Sequence, residues 1–313
     1  MIAFIVRRLL TGLVLLAAIT TFGFTLLYLG GGDIARKILG ENADEQTVAQ
    51  KAAELGLDRP VLVQYGDWVT NALTGNLGAS WFSGQPVTEA IISRLSVTLS
   101  LVTGAVVIIA TVSVVLGVLA ATKRGWVDRL AQVISLLGFA IPGFLFAVGL
   151  VLLFALTFGW FDPTGYVAFT TSPSGWVKTV TLPVIALALG GIAAVSQQIR
   201  GSVMDALRND YVRTLRSRGI PIRRVILKHV LRNAAGPALA VLAVYFVGLM
   251  GGAVIVEQVF AIPGLGQVAV QATAQGDVPL VMGLLVATGV IVIVFNLLVD
   301  LAQGWLNPKV RLS

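Results

Sequence analysis

Cysteine is missing from all 313 residues, and histidine occurs once, as His229. The first absence removes disulfides, thiolate metal sites and cysteine nucleophiles together, and leaves the redox compartment unread. Charge is scarce as well: 12% of residues are charged and 57% are hydrophobic, with a mean hydropathy of +0.90, where an ordinary soluble domain carries about a quarter charged residues. That composition argues against a water-soluble fold. No Gly-x-x-x-x-Gly-Lys-Ser/Thr loop occurs, so the chain has no phosphate cradle of that kind, and an ATP-driven process needs the nucleotide on another subunit.

What is present is long apolar runs. A helix crossing roughly 30 Å of hydrocarbon at 1.5 Å per residue needs about 20 apolar residues. Six blocks meet that length: 9–30, 97–122, 130–158, 180–199, 235–256 and 280–301. The fold expected is an all-α integral membrane protein with six transmembrane helices. The first block follows Arg7 and Arg8 like a signal peptide, but it is longer than a signal-peptide core and has no convincing cleavage site, so it is read as an uncleaved span.

The net charge of +7 and pI near 10.1 have a topological cause. With residues 1–8 inside, the inner segments hold Arg7, Arg8, Lys123, Arg124, Arg129, nine basic residues from Arg200 to Arg232, Lys309 and Arg311. The outer segments hold the other six, Arg36, Lys37, Lys51, Arg59, Arg94 and Lys178, among eleven acids from Asp33 to Asp277. Lysine and arginine retain loops in the cytoplasm, which places both termini, 1–8 and 306–313, on the cytoplasmic side. No basic face interleaved with aromatics is visible, which argues against single-stranded nucleic acid.

Two polar excursions stand out. Residues 31–96, outside between the first two spans, are too long for a simple connector. Asp44–Leu55 reads as one helix, Gly56-Leu57-Asp58-Arg59-Pro60 as its stop and Val61–Leu73 as a second helix. The excursion is either a small lid on the membrane surface or a docking platform for an external partner. The inner segment, 200–234, is dense in arginine, and Gly219-Ile220-Pro221 reads as a stop and restart between two short helices. Such a pair can transmit a push from a soluble partner, or serve as a retention signal lying on anionic lipid.

The spans contain essentially no ionisable residue; Glu257 and Asp300 sit at span ends. Ion-coupled transporters need buried carboxylates, histidines or cation-binding broken helices. Protease motifs are equally poor: Gly30-Gly31-Gly32-Asp33 lacks a second intramembrane aspartate, and Gly78-Ala79-Ser80 lacks a membrane histidine. Gly104, Gly117, Gly138, Gly143, Gly149, Gly190, Gly191, Gly248, Gly251 and Gly252 permit close helix packing. Pro142, within Gly138-Phe139-Ala140-Ile141-Pro142-Gly143-Phe144, removes a backbone hydrogen bond and can kink a span, either for packing or where a pore bends.

Three segments carry a resemblance. The stretch Asp210-Tyr211-Val212-Arg213-Thr214-Leu215-Arg216-Ser217-Arg218-Gly219, continuing to His229-Val230-Leu231-Arg232-Asn233-Ala234, resembles the cytoplasmic coupling loop, or EAA loop, of ABC importer permeases. Gly251-Gly252-Ala253-Val254-Ile255-Val256-Glu257-Gln258-Val259-Phe260-Ala261-Ile262-Pro263-Gly264-Leu265-Gly266, followed by Asp277-Val278-Pro279, resembles their outer loop after the fifth span. Leu55-Gly56-Leu57-Asp58-Arg59-Pro60, Gln64-Tyr65 and Gly75-Asn76-Leu77-Gly78-Ala79-Ser80 resemble the B-type permease subunits of dipeptide and oligopeptide ABC importers (Dpp/Opp), and a companion C-type subunit lacks that layout. Arg213-Thr214-Leu215 stand where the general importer pattern has Glu-Ala-Ala, and His229 and Arg232 replace its isoleucine and proline. The peptide branch looks like this too.

The resemblance implies a type I ABC importer permease fold over 97–305, assembled with a C-type permease subunit, two cytoplasmic ATPase subunits carrying ATP and Mg, and an extracytoplasmic binding protein. This chain itself would bind no cofactor or metal and perform no catalysis. Coupling would fall to Tyr211, Arg213, Thr214, Leu215, Arg216, Arg218, Gly219, Ile220, Pro221, Arg223, Arg224 and His229. Phe139, Pro142, Gly248, Gly252 and Glu257 are expected at the pore and gate, and Phe260, Pro263, Gly264 and Gly266 in the outer loop. Relatives in the branch import dipeptides, longer peptides, glutathione, nickel chelates or haem. A secondary transporter or channel without ATPases, and a membrane scaffold, are the rival classes; charge-free spans oppose the first and the coupling segment opposes both.

Overall fold

The computed structural model describes residues 2–30, 34–123 and 125–306. Gly31, Gly32 and Asp33 of the Gly-x-Gly-Asp match, Arg124, and the terminal segment with Lys309 and Arg311 lie outside the described residues. The order is α1 (Ile2–Gly30), α2 (Ile34–Leu39), α3 (Glu45–Glu54), α4 (Val61–Leu73), α5 (Val87–Thr122), α6 (Trp126–Ala140), α7 (Gly143–Leu150), α8 (Pro173–Leu207), α9 (Asp210–Ser217), α10 (Ile222–Val225), α11 (Leu231–Val259), α12 (Leu265–Gln275) and α13 (Val278–Leu306). Wider π turns extend α7 over Val151–Thr157 and join α10 to α11 over Ile226–Val230. Apart from one isolated bridge between Ala79 and Pro86, the described residues are helix, turn and loop.

Five helices are long and apolar enough to cross a membrane: Ile5–Leu29, Val87–Thr122, Pro173–Leu207, Ile222–Val259 and Val278–Leu306. A sixth span is a bent pair, Asp128–Ala140 and Gly143–Thr157, turned by 102° at its break. The sequence read 130–158 as one run. Ile141 before Pro142 is extended (φ −86°, ψ 118°), because the proline ring clashes with a helical predecessor. Gly138 and Gly143 flank the break and lower the helix propensity on both sides. Pro183 and Pro237, by contrast, are absorbed inside α8 and α11.

The chain divides into two compact units. One comprises Leu99–Ile262 with residues 2–5 and 294–306. Its centre is α8, whose buried residues run from Thr179 to Ala206. Glycines of neighbouring helices let them approach: a Cβ on Gly104 would touch Val184 at 3.0 Å, one on Gly138 would touch Ala193 at 3.0 Å, and one on Gly117 would meet the Ser196 carbonyl at 2.8 Å. Such close backbone approach is how membrane helices gain dispersion contacts without a hydrophobic effect between them.

The other unit comprises Val6–Thr98 and Pro263–Ile293. Phe24, Ile34, Val278 and Met282 form one buried cluster with Tyr65, Trp68 and Trp81 against it, and Val87, Ile91, Leu265 and Leu284 form a second. Asp44 caps α3 by accepting from the Thr47 amide at 3.0 Å. α12 has no side chain of its own for that purpose; Thr98 from α5 accepts from the Leu265 amide at 2.9 Å instead.

Candidate functional site

The inner segment begins inside α8, which runs past Arg200 to Leu207. Arg200 is held there by Asp128, which accepts from its Nε and Nη2 at 2.6 and 2.9 Å. This bidentate pair fixes the start of α6 to the end of α8. α9 then lies on a small apolar base: Val212 is buried and Tyr211 and Leu215 are half-buried, and the Tyr211 hydroxyl accepts from the Asn233 amide at 3.1 Å. Arg213, Thr214, Arg216 and Arg218 are exposed.

α9 stops at Gly219, where φ is +77°. The Gly219 amide donates to Arg216 O at 2.9 Å and the Ile220 amide to Leu215 O at 3.2 Å, the paired bonds of a Schellman stop. A Cβ on Gly219 would meet nothing within 4 Å, so glycine is required by the backbone angle alone. Pro221 then opens α10, with Arg223 and Arg224 exposed and Val225 fully buried. The sequence expected a separate second helix. The structure instead runs α10 through the π turn that contains His229 into α11, a single helical stretch from Ile222 to Val259. Arg232 donates to the Leu306 carbonyl at the end of α13, at 3.1 Å. None of Arg213, Arg216, Arg218, Arg223 and Arg224 enters an ion pair among the described residues.

Four of the five residues expected at the pore converge. Phe139 and Pro142 from the break between α6 and α7, and Gly248 and Gly252 from α11, line one cavity of about 380 Å³ together with residues of α8. Its other walls are Phe144, aliphatic side chains and glycine, and Tyr245 supplies the only side-chain hydrogen-bonding group among the residues lining it. The Tyr245 ring and hydroxyl rest in a notch on α8: a Cβ on Gly190 would overlap the hydroxyl, and one on Gly191 would meet the ring at 2.7 Å. Tyr245 was missed in the sequence, although an isolated tyrosine in an apolar span and an adjacent Gly-Gly pair were both visible. Glu257 does not join this group; it is fully buried in the last turn of α11 and lines no part of the cavity.

The outer loop divides at Ile262. Phe260 is buried, its carbonyl accepting from the Gly165 amide at 2.8 Å. Pro263, Gly264 and Gly266 belong to the other unit and lead into α12, with Gly264 and Gly266 buried. In that unit the sequence did not foresee a pair 197 residues apart. Asp277, fully buried, accepts from the Ser80 hydroxyl at 2.5 Å and from the Trp81 amide at 3.2 Å. Ser80 in turn accepts from the Phe82 and Ser83 amides at 3.3 and 3.0 Å. Ser80 is thus a turn-former, and its likeness to a protease serine ends there.

A family model described as binding-protein-dependent transport system inner membrane component matches residues 113–312, and the N-terminal model of the same description matches residues 1–102. A permease protein of Brucella abortus, named for a peptide transport system, is 38% identical over 312 residues, covering 99% of each chain. The oligopeptide transport system permease protein AppB of Bacillus subtilis is 32% identical over 316 residues, covering 99% of this chain and 100% of its own. Among solved structures, an inward-facing MetNI methionine ABC transporter aligns with a TM-score of 0.57 at 15% identity, over 70% of this chain and 97% of that one. The chain belongs to the binding-protein-dependent transport system inner membrane component family, the permease subunits of ABC importers.

Proposed function

We propose that this chain forms half of the channel through which an ABC importer moves peptides, di- or oligopeptides, across the bacterial cytoplasmic membrane. Full-length similarity to permeases named for peptide and oligopeptide transport supports that cargo. The complete importer pairs it with a C-type permease subunit, two ATPases beneath the membrane and a binding protein outside. ATP and Mg reside on the ATPases, this chain contributes no catalytic group, and both of its termini face the cytoplasm.

The observation that carries the reading is the cationic turn at Gly219 and its rigid connection to the cavity. Arg213, Arg216, Arg218, Arg223 and Arg224 project from a turn anchored by Val212, Val225 and Val230, and they offer donors to an acidic or carbonyl-rich groove on an ATPase. Arg224 and Gly248 stand on one uninterrupted helical stretch, about 36 Å apart at 1.5 Å per residue. Closure of the ATPases against the turn therefore moves the cavity wall. ATP must bind one channel state better than the other, since only a difference in interaction shifts such an equilibrium. The cavity's apolar, charge-free walls select little, so selection falls to the binding protein, and Tyr245 provides the one side-chain hydrogen bond to cargo.

The test is reconstitution in proteoliposomes with the ATPases and binding protein, comparing labelled-peptide uptake for the native chain and for Gly219→Asp with Arg216→Glu. Intact assembly with loss of uptake and of stimulated ATP hydrolysis is expected. Unchanged ATP-driven uptake would remove the coupling role from this turn.

A further inference from the structure

The helix α4 has three distinct sides. At about 100° per residue, Val61, Tyr65 and Trp68 fall together, and these three pack against the Phe24 and Met282 cluster. Leu62, Val69 and Leu73 follow roughly a quarter-turn round, with Gly66 beside them. Leu62 is 84% exposed and Leu73 80%. Asp67, Thr70 and Asn71 share the remaining arc with Val63, all four exposed, and Asp67 is paired to Arg59 at 3.2 Å. A helix free in water has no reason to put an uncharged apolar strip beside its packed face, while a helix lying in an interface has.

The depth of α4 is set by its contact with α1. The Tyr65 hydroxyl hydrogen-bonds the hydroxyls of Thr20 and Thr21 at 3.0 and 2.9 Å, and its ring lies 5.3 Å from that of Phe24. The apolar run of α1 continues to Leu29, so these threonines sit about 12 to 14 Å along the helix below its outer end. At about 100° per residue the exposed apolar residues of α1 at this height, Ile19, Phe22 and Leu26, lie on the face turned away from Thr20, Thr21 and Phe24. α4 therefore packs on a span at a height where the span's opposite face is open to lipid, and its own exposed apolar residues stand beside the same layer.

We infer that α4 lies in the outer leaflet of the bilayer, with Leu62, Val69 and Leu73 among acyl chains and Asp67 and Asn71 in water. Its occupant is lipid. This placement depends on α1 being a span and is independent of the cargo.

The chain contains no cysteine, so Leu62→Cys, Leu73→Cys and Asn71→Cys each give one spin-label site without further changes. In proteoliposomes of phosphatidylethanolamine and phosphatidylglycerol, collisions with oxygen should exceed those with a water-soluble nickel chelate severalfold at residues 62 and 73, and the order should reverse at 71. Equal nickel access at all three sites would overturn the inference, as would shielding of 62 and 73 from both reagents, which marks a protein contact. The unsubstituted chain gives a second reading: a lipid-borne diazirine should label the segment 60–73 on illumination while a water-soluble diazirine spares Leu62 and Leu73. The converse pattern also overturns it.

Discussion

Two helix stops in this chain share one hydrogen-bond pattern and differ in everything around it. At the inner stop, Gly219 takes φ +77° in open space, just after exposed Arg216 and Arg218. At the outer stop, the end of α11, the Ala261 amide donates to Gln258 O at 3.2 Å and the Ile262 amide to Glu257 O at 2.8 Å. Ala261 takes φ +49° there, the only non-glycine residue with positive φ among those described. A left-handed alanine costs roughly 1–2 kcal/mol, and it is held by its neighbours: Glu257, Phe260 and Ile262 are 0–1% exposed. A buried frame can impose a backbone angle that the residue itself resists. An exposed turn has no such frame and needs glycine, and in exchange its side chains are free to meet a partner.

The comparison can be broken most forcefully by charge. Arg213→Glu with Arg216→Glu should lower ATP-driven uptake by about tenfold or more, since reversing charges at a contact costs at least ~1.4 kcal/mol. Gln258→Glu, an exposed change beside the outer stop, should leave uptake within about twofold. Transport assays on both variants, with assembly checked by co-purification, decide between coupling at the inner turn and a general sensitivity to charge.

Stability should respond the opposite way. Asp277→Ala leaves the Ser80 hydroxyl and the Trp81 amide without their buried acceptor, which costs about 1–3 kcal/mol. Arg218→Ala, at an exposed side chain, should change stability by less than about 0.5 kcal/mol. Denaturation in detergent micelles measures both, and equal losses would contradict the division.

Smaller effects sharpen the pair of stops directly. Gly219→Ala should cost about 1 kcal/mol from the backbone angle alone, because the added Cβ touches nothing. Ala261→Gly should be close to neutral, relief of the left-handed angle being offset by the freer unfolded chain. The smallest effect concerns α3. Hydrogen bonds from the Thr47 side chain, then its amide, hold the Asp44 carboxyl below its ordinary 3.8. A depressed carboxyl pKa stabilises the fold above the unfolded value and loses that contribution as pH falls through the folded one. Lowering the pH below about 4 should therefore loosen the start of α3, read as faster amide exchange, and Asp44→Asn should flatten the response.

Much of this could be read from the sequence. The six apolar runs follow from the thickness of hydrocarbon, and Gly219-Ile220-Pro221 announced the inner stop because glycine and proline obey local backbone rules. The outer stop could not be read in that way, since nothing about Ala261 marks it for a left-handed angle. Pro142, singled out in the sequence as able to kink its span, breaks its helix with Ile141 before it and Gly138 and Gly143 around it, whereas Pro183 and Pro237 are absorbed in theirs. Glu257 looked like a gate by its position at a span end, and proves to be buried away from the cavity.

The number of apolar runs, the distribution of charge among the segments between them and the position of the inner turn were determined by the sequence alone, because each depends on solvent or on backbone angles over a few residues. The tertiary structure decided which distant residues meet: Ser80 with Asp277, Asp128 with Arg200, Tyr245 with Gly190 and Gly191, and Tyr65 with Thr20 and Thr21. Those encounters depend on how helices pack and at what height they cross, which hydropathy and turn propensity do not encode.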